Sequence, residues 1–215
     1  MSKVLLFVPV WDRRLDVPWL DPVRDAQGKV KGVKLLGLRD EEGLTLSGKY
    51  ALGFNYAMDY GFDWVLLLED DEKPTPDIAE KFLAATKQFP EEGLFMGVKR
   101  LRTLEREVHV PFVLGFRNDP PAINEKPITA HSVRPNSEAP RAIIGGAVCT
   151  PMFYSPAWFK KQDLHFHGNE LDGPQDTKNW DMALSQDLFE KRLRFVSVPQ
   201  ITVEHWDERS RTVLT

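Results

Sequence analysis

Leu66-Leu67-Leu68-Glu69-Asp70-Asp71-Glu72 is an apolar run that ends in four consecutive acids, and the reading of the whole chain turns on it. Apolar runs without alternation, rich in Val, Leu and Ile, mark strands covered on both faces. Trp64 to Leu68 is one, and Val4 to Val10 and Leu94 to Val98 are two more, so a mainly parallel central sheet is expected. Between the first two, Ser47 to Tyr60 places Ala51, Phe54, Asn55 and Met58 on one helical face, with Gly61 as a stop. After the acids, Thr75-Pro76-Asp77 supplies an N-cap, a proline at the first helical position and an early acid. A helix is predicted from there to Phe89, with Ile78, Phe82, Leu83 and Phe89 at helical spacing and Pro90 ending it. A short second strand is expected at Val33 to Leu38. Strands alternating with helices put the chain in the α/β class, with helices flanking the sheet.

Farther along, Arg117 to Arg141 carries Pro120, Pro121, Pro127, Pro135 and Pro140 without an apolar period, and reads as a long loop. Order is expected to return at Ala142 to Thr150. A helix from about Trp180 to Arg192 follows, then strands at Leu193 to Val198 and Ile201 to His205. The polar stretch 207–215 reads as a mobile tail, and residues 1–206 as a single domain.

Composition narrows the function classes. The 215 residues carry 28 Lys plus Arg against 32 Asp plus Glu, a net charge of −4, so no general basic surface is available to hold nucleic acid by its phosphates. The single cysteine, Cys149, can form neither an internal disulfide nor a cysteine-rich zinc site; placed in an apolar strand, it reads as a buried inert thiol. A reducing compartment, the cytoplasm, is the expectation. No stretch approaches the roughly 18 uncharged residues of a membrane span.

Four acids at the carboxyl end of a strand repel one another. In open α/β sheets ligands bind outside the carboxyl ends of strands, and Mg²⁺ and Mn²⁺ prefer carboxylate oxygens while leaving positions for phosphates. A metal with a bound diphosphate would relieve the repulsion. A solvated acidic turn leading into the next helix is the alternative reading. His165 and His167, two apart, lack a third ligand nearby and are rejected as a metal pair.

The strand ending in acids, followed by Lys73-Pro74-Thr75-Pro76-Asp77-Ile78, resembles the DxD region of GT-A fold glycosyltransferases, in particular their family 2-like group. Other stretches agree in order. Val8-Pro9-Val10-Trp11-Asp12-Arg13 resembles the end of the family's first strand, where the donor nucleoside rests. Gly48-Lys49 through Asn55 resembles its glycine-lysine to asparagine helix. Gly145-Gly146, with Phe153 and Phe159, resembles the acceptor-side segment. Asp181 through Arg192 and Arg194 to Pro199 resemble the ED region and the strand after it. Val203-Glu204-His205 resembles the closing strand that ends in histidine. The Glu-Asp-Asp triplet departs from Asp-x-Asp and is similar to that of N-acetylglucosaminyltransferase I type enzymes, where the last aspartate holds the metal. Trp180 stands where the ED pair would have its glutamate.

The resemblance implies a GT-A (Rossmann-like) nucleotide-sugar transferase fold and metal-dependent, inverting transfer of a sugar from a nucleotide-diphosphate donor to an acceptor hydroxyl. It implies donor contacts at Pro9, Val10, Asp12, Asp40, Asn55, Glu69 and Asp70, and an acceptor side at Gly145, Gly146 and Trp180. Asp71 and His205 would hold Mn²⁺ or Mg²⁺, a histidine with a carboxylate suiting Mn²⁺. Asp181, at a helix start, would take the acceptor proton, although the helix dipole alone also favours an acid there. The acceptor class, whether saccharide, protein, lipid or another hydroxyl compound, stays open. A nucleotidyltransferase is the nearest alternative, but Pro9-Val10-Trp11-Asp12-Arg13-Arg14 lacks the glycines that cradle a triphosphate. A noncatalytic sugar-nucleotide or carbohydrate-binding module is the other.

Overall fold

The structure, a computed structural model, describes residues 2–9, 33–38, 46–69, 72–102, 107–110, 112–115, 129–133, 139–166 and 180–206. The apolar runs form three of its strands: β1 (Val4–Pro9), β3 (Trp64–Leu67) and β5 (Leu94–Arg102). Around them stand β2 (Val33–Leu38), β4 (Glu72–Lys73), β6 (Glu107–Val110), β9 (Arg141–Ile144), β10 (Met152–Tyr154) and β11 (Arg194–Trp206). Among the described residues these nine strands form one sheet in the order β2-β1-β3-β10-β5-β11-β4, with β6 also beside β5 and β9 also beside β11. β2, β1, β3, β5 and β11 point the same way, and β10 runs against its neighbours β3 and β5. The mainly parallel α/β sheet expected from the sequence is therefore present.

The lack of alternation has a direct cause. Leu5, Phe7, Val65 and Leu67 face one side of the sheet, against α1 (Leu46–Asp59), α3 (Pro156–Lys161) and α4 (Trp180–Glu190). Val4, Leu6, Val8, Leu66 and Leu68 face the other, against Ile78, Ala79, Phe82 and Ala85 of α2 (Ile78–Thr86). Both faces are dry, so each position of these strands is apolar, and each buried Leu, Val or Phe contributes about 1.5–3 kcal/mol.

Three expectations are corrected. α2 begins at Ile78 with Asp77 as its cap residue, because the Thr75 hydroxyl donates to Asp77 Oδ1 (2.7 Å) rather than capping the helix itself. The two strands expected near the C-terminus are one, β11, whose pairing with β5 shifts register between Ser197 and Thr202. Within the expected long loop, β8 (Thr129–Ser132) pairs antiparallel with β7 (Phe112–Gly115) as a separate ribbon; neither strand has the apolar alternation that would announce it. Residues 117–128 and 134–138 of that loop, and residues 207–215, lie outside the described residues. No helix among the described residues is long and apolar enough to cross a membrane.

The β11 irregularity brings the Ile201 carbonyl oxygen over Gly97 of β5, where an added Cβ would meet it at 2.8 Å and Pro151 Cγ at 2.8 Å. A backbone atom cannot rotate away. Gly97→Ala is expected to destabilise the chain by about 1–3 kcal/mol, read as a fall of the thermal midpoint by roughly 2–12 °C. An unchanged midpoint would show that β11 can shift at its bulge.

Candidate functional site

Because β1, β3, β5 and β11 are parallel, their carboxyl ends share one edge, which in an open α/β sheet is where a crevice forms. Pro9, buried, ends β1 there. Just past the end of β3, the acid run folds back on itself. The Glu72 N–H donates to the Glu69 carbonyl oxygen (3.2 Å), and the Glu69 N–H donates to Glu72 Oε2 (3.0 Å). The two residues between them, Asp70 and Asp71, lie outside the described residues, as do Val10, Asp12 and Asp40.

The closed turn is held from below by β5. Lys99 Nζ donates to Glu69 Oε2 at 2.5 Å and lies 2.8 Å from Glu72 Oε1, while the Thr150 hydroxyl donates to the same Glu72 oxygen at 2.6 Å. Glu72 and Lys99 are 1% and 6% exposed. Burial pushes the Glu72 carboxyl above its ordinary range, against the pull of Lys99. Burial alone would lower Lys99, but the Glu69 and Glu72 carboxylates outweigh it and hold the ammonium above its ordinary value. The expectation that repulsion among the acids awaits a metal is thus corrected in part. Glu69 and Glu72 are already compensated by the chain's own cation, because a charge buried this deeply needs a partner inside the protein.

From the turn the chain enters β4, which pairs antiparallel with β11 so that His205 stands opposite Glu72 and Glu204 opposite Lys73. Residues 71 and 205 are 134 apart in sequence; the sheet sets His205 beside the residue that follows Asp71.

The third contribution comes from the segment between β9 and β10. Gly145, with φ 80°, and Gly146 are both buried. The left-handed backbone at Gly145 gives it a structural reason to be glycine. Beyond them the Val148 N–H donates to Ser185 Oγ (2.9 Å), and that hydroxyl donates to the Asp181 carbonyl oxygen. The first turn of α4 is thereby tied to the segment that carries Thr150. Cys149 lies in this segment, outside any strand, which corrects the strand expected for it. Burial pushes its thiol up; Lys99 opposes this, and Glu72, Glu69 and Asp181 add to it. Asp181, half-buried, is thus within electrostatic reach of the same point as the acidic turn.

Two expected residues sit elsewhere. The Trp180 ring is buried, 4.7 Å between centroids from Tyr50 and 6.1 Å from Phe166, so it anchors the start of α4 in the aromatic core rather than facing an acceptor. Asn55 is exposed and nine residues into α1, about 14 Å along an axis that runs back from the strand ends. Sequence reasoning missed Lys99 and Thr150; the one available signal was the basic run Lys99-Arg100 at the carboxyl end of an apolar strand, opposite in charge to the acids ending β3. His165 is exposed and paired with Asp163 (3.1 Å), and His167 lies outside the described residues. Among the described residues no three His, Cys, Asp or Glu side chains gather to hold a metal ion.

No family model matches the chain, and neither does any curated protein. Solved structures do. Staphylococcus aureus TarS 1–349 in complex with UDP aligns with a TM-score of 0.57 at 11% identity, over 96% of this chain and 61% of that one. GalNAc-T7 with UDP, GalNAc and Mn²⁺ aligns at 0.51 and 11% identity, over 96% of this chain and 44% of that one. UDP-glucose pyrophosphorylase complexed with UDP-glucose aligns at 0.50 and 10% identity, over 94% and 92%. The chain spans about three fifths of the TarS chain it matches. TarS and GalNAc-T7 are GT-A-type glycosyltransferases, and the likeness is one of fold: this chain has the GT-A architecture that its motifs resemble.

Proposed function

We propose that the chain transfers a glycosyl group from a nucleoside-diphosphate sugar to an acceptor hydroxyl. The observation that carries this reading is the convergence at one sheet edge of the acidic turn, His205 opposite Glu72, and the Asp181 end of α4 tied to the 148–150 segment. The fold is shared with structures that hold UDP, or UDP with GalNAc and Mn²⁺, which supports a diphosphate ligand at this edge.

In this reading Pro9, Val10, Asp12 and Asp40 line the nucleoside pocket and Asp70 approaches the ribose, while Glu69, expected there from the resemblance, is taken up by its bond to Lys99. A histidine and a carboxylate are donor types that suit a divalent cation, and His205 is paired with Glu72, the residue that follows Asp71 in sequence. Asp71 and His205 would hold Mn²⁺ or Mg²⁺, which when bound offsets negative charge on the departing diphosphate. The acceptor oxygen attacks the anomeric carbon as the bond from that carbon to the diphosphate breaks, and its proton passes to the Asp181 carboxylate. Direct displacement of this kind inverts the anomeric centre. Gly145 and Gly146, lacking side chains, let the backbone approach the sugar.

One observation favours a second reading. The UDP-glucose pyrophosphorylase is matched over 92% of its own length, so a nucleotidyltransferase of this size is a real alternative. Against it stands the glycine-free stretch from Pro9 to Arg14 after β1. The two are separated by incubating the chain and Mn²⁺ with UDP-, GDP-, CDP- and TDP-sugars, and in parallel with nucleoside triphosphate plus sugar 1-phosphate. Release of nucleoside diphosphate from a sugar nucleotide is expected. Pyrophosphate from the second mixture, with no diphosphate from the first, would overturn the proposal in favour of nucleotidyl transfer. A raised thermal midpoint with neither product would leave a binding module.

A further inference from the structure

We infer that Lys99 is a positioning residue for the acidic turn, clamping Glu69 and Glu72 from the β5 side and so fixing the two residues that flank Asp70-Asp71 in sequence. This deepens the proposed function and rests on that reading for its ligand. Four observations carry it. The turn closes through two backbone-anchored bonds, Glu72 N–H to the Glu69 carbonyl oxygen and Glu69 N–H to Glu72 Oε2. A single ammonium reaches both flanking carboxylates, at 2.5 and 2.8 Å. Lys99 sits on β5 in register with Val203 of β11, two residues before His205, so the same strand pair carries the clamp and the histidine. Thr150, on the segment that α4 holds, donates to Glu72 as well, which ties the turn to the Asp181 side of the crevice.

The chemistry follows from charge and depth. Glu69 and Glu72 point inward to Lys99, so their carboxylates are spent on fixing the turn. The acids between them carry the charge that remains for a cation and a diphosphate. Without the ammonium, a fully buried Glu72 would face Glu69 with only the Thr150 hydroxyl and the Glu69 N–H, both neutral donors, to hold it, and the turn would reopen toward water. Partners one step behind a ligand commonly change metal affinity by about 10–100-fold when removed.

Lys99→Met alone leaves Glu72 buried without a cation and can fail to fold, so the test uses the double variant Lys99→Met/Glu72→Gln, which removes both buried charges, together with Lys99→Arg. Two measurements are made on the full chain. Amide hydrogen exchange is followed over residues 66–75 in the free protein, and UDP affinity is measured by calorimetry with and without Mn²⁺. For the double variant, exchange is expected to speed up in that window with the rest of the sheet unchanged. Its Mn²⁺-dependent UDP affinity is expected to fall by about 10–100-fold while metal-free affinity holds. Lys99→Arg, which keeps the charge, is expected to stay near the wild type in both. Unchanged exchange in the double variant, or a Mn²⁺-dependent affinity near that of the wild type, would overturn the positioning role. So would an Arg variant that loses as much as the double one. Faster exchange together with a wild type that binds none of UDP, GDP, CDP and TDP under either condition would support the clamp and overturn the proposed function.

Discussion

Asp181→Asn is expected to lower turnover with the true acceptor by about 10²–10⁴-fold while UDP affinity stays within a few-fold, because it removes a proton acceptor and little else. The amide matches the carboxylate in shape. The bond from the Ser185 hydroxyl is to the Asp181 backbone carbonyl, so the coupling of α4 to the 148–150 segment survives the change. The cost to the fold is limited to losing one acid from the first turn of α4, about 0.3–1 kcal/mol from the helix dipole. Steady-state rates with acceptor, calorimetric UDP affinity and a melting curve separate these effects. Near-normal turnover would move the base elsewhere. Asp187 would be tested next, although it lies six residues on, about 9 Å farther along the helix, and then Asp176.

Lys99→Met should produce the largest loss of stability of any single change near the crevice. It leaves Glu72, 1% exposed, with no cation and with Glu69 close by. Breaking a buried pair by removing one partner costs about 3–5 kcal/mol, which for a chain of this size is a fall of roughly 6–20 °C in the midpoint. Lys99→Met/Glu72→Gln should recover most of that, since no charge is then left uncompensated inside. Equal losses in the single and double variants would mean that the lysine stem, by packing, and not the ammonium supplies the stability. The pH dependence has a definite sign. In the folded chain the two carboxylates hold Lys99 protonated above the ordinary lysine value of 10.5. The stability from this is complete below that value and is lost as pH rises through the folded value, because the unfolded chain gives up its proton first. Between about pH 9 and 11.5 the wild-type midpoint should therefore fall more steeply than that of the double variant.

Much of the architecture was legible because it rests on local patterns. Val4 to Val8, Trp64 to Leu68 and Leu94 to Val98 read as continuous apolar runs because both sheet faces are covered, and a strand with two dry faces writes that fact into consecutive residues. The α1 helix, within one residue of its expected ends, follows from the 3.6-residue period and the stop at Gly61, whose φ of 62° suits glycine. The pairing of Phe112–Gly115 with Thr129–Ser132 was not legible, since neither segment alternates and the partner lies across an intervening proline-rich stretch.

The site divides in the same way. The sequence by itself determined that four acids end the strand at Leu68, that a histidine ends the closing strand, and that an acid opens the helix near Trp180, because each is a residue type at the end of a locally recognisable element. Tertiary structure alone decided what those acids do. Glu69 and Glu72 turn inward because Lys99, 30 and 27 residues away, arrives beneath them on β5, and Thr150 joins from 78 residues away. Trp180 and Asn55 were read from their neighbours in sequence, and the fold assigned one to the aromatic core and the other to an exposed helix face. Partnership between charges depends on which strands are adjacent, and adjacency in this sheet is out of chain order: β10 separates β3 from β5, and β11 separates β5 from β4.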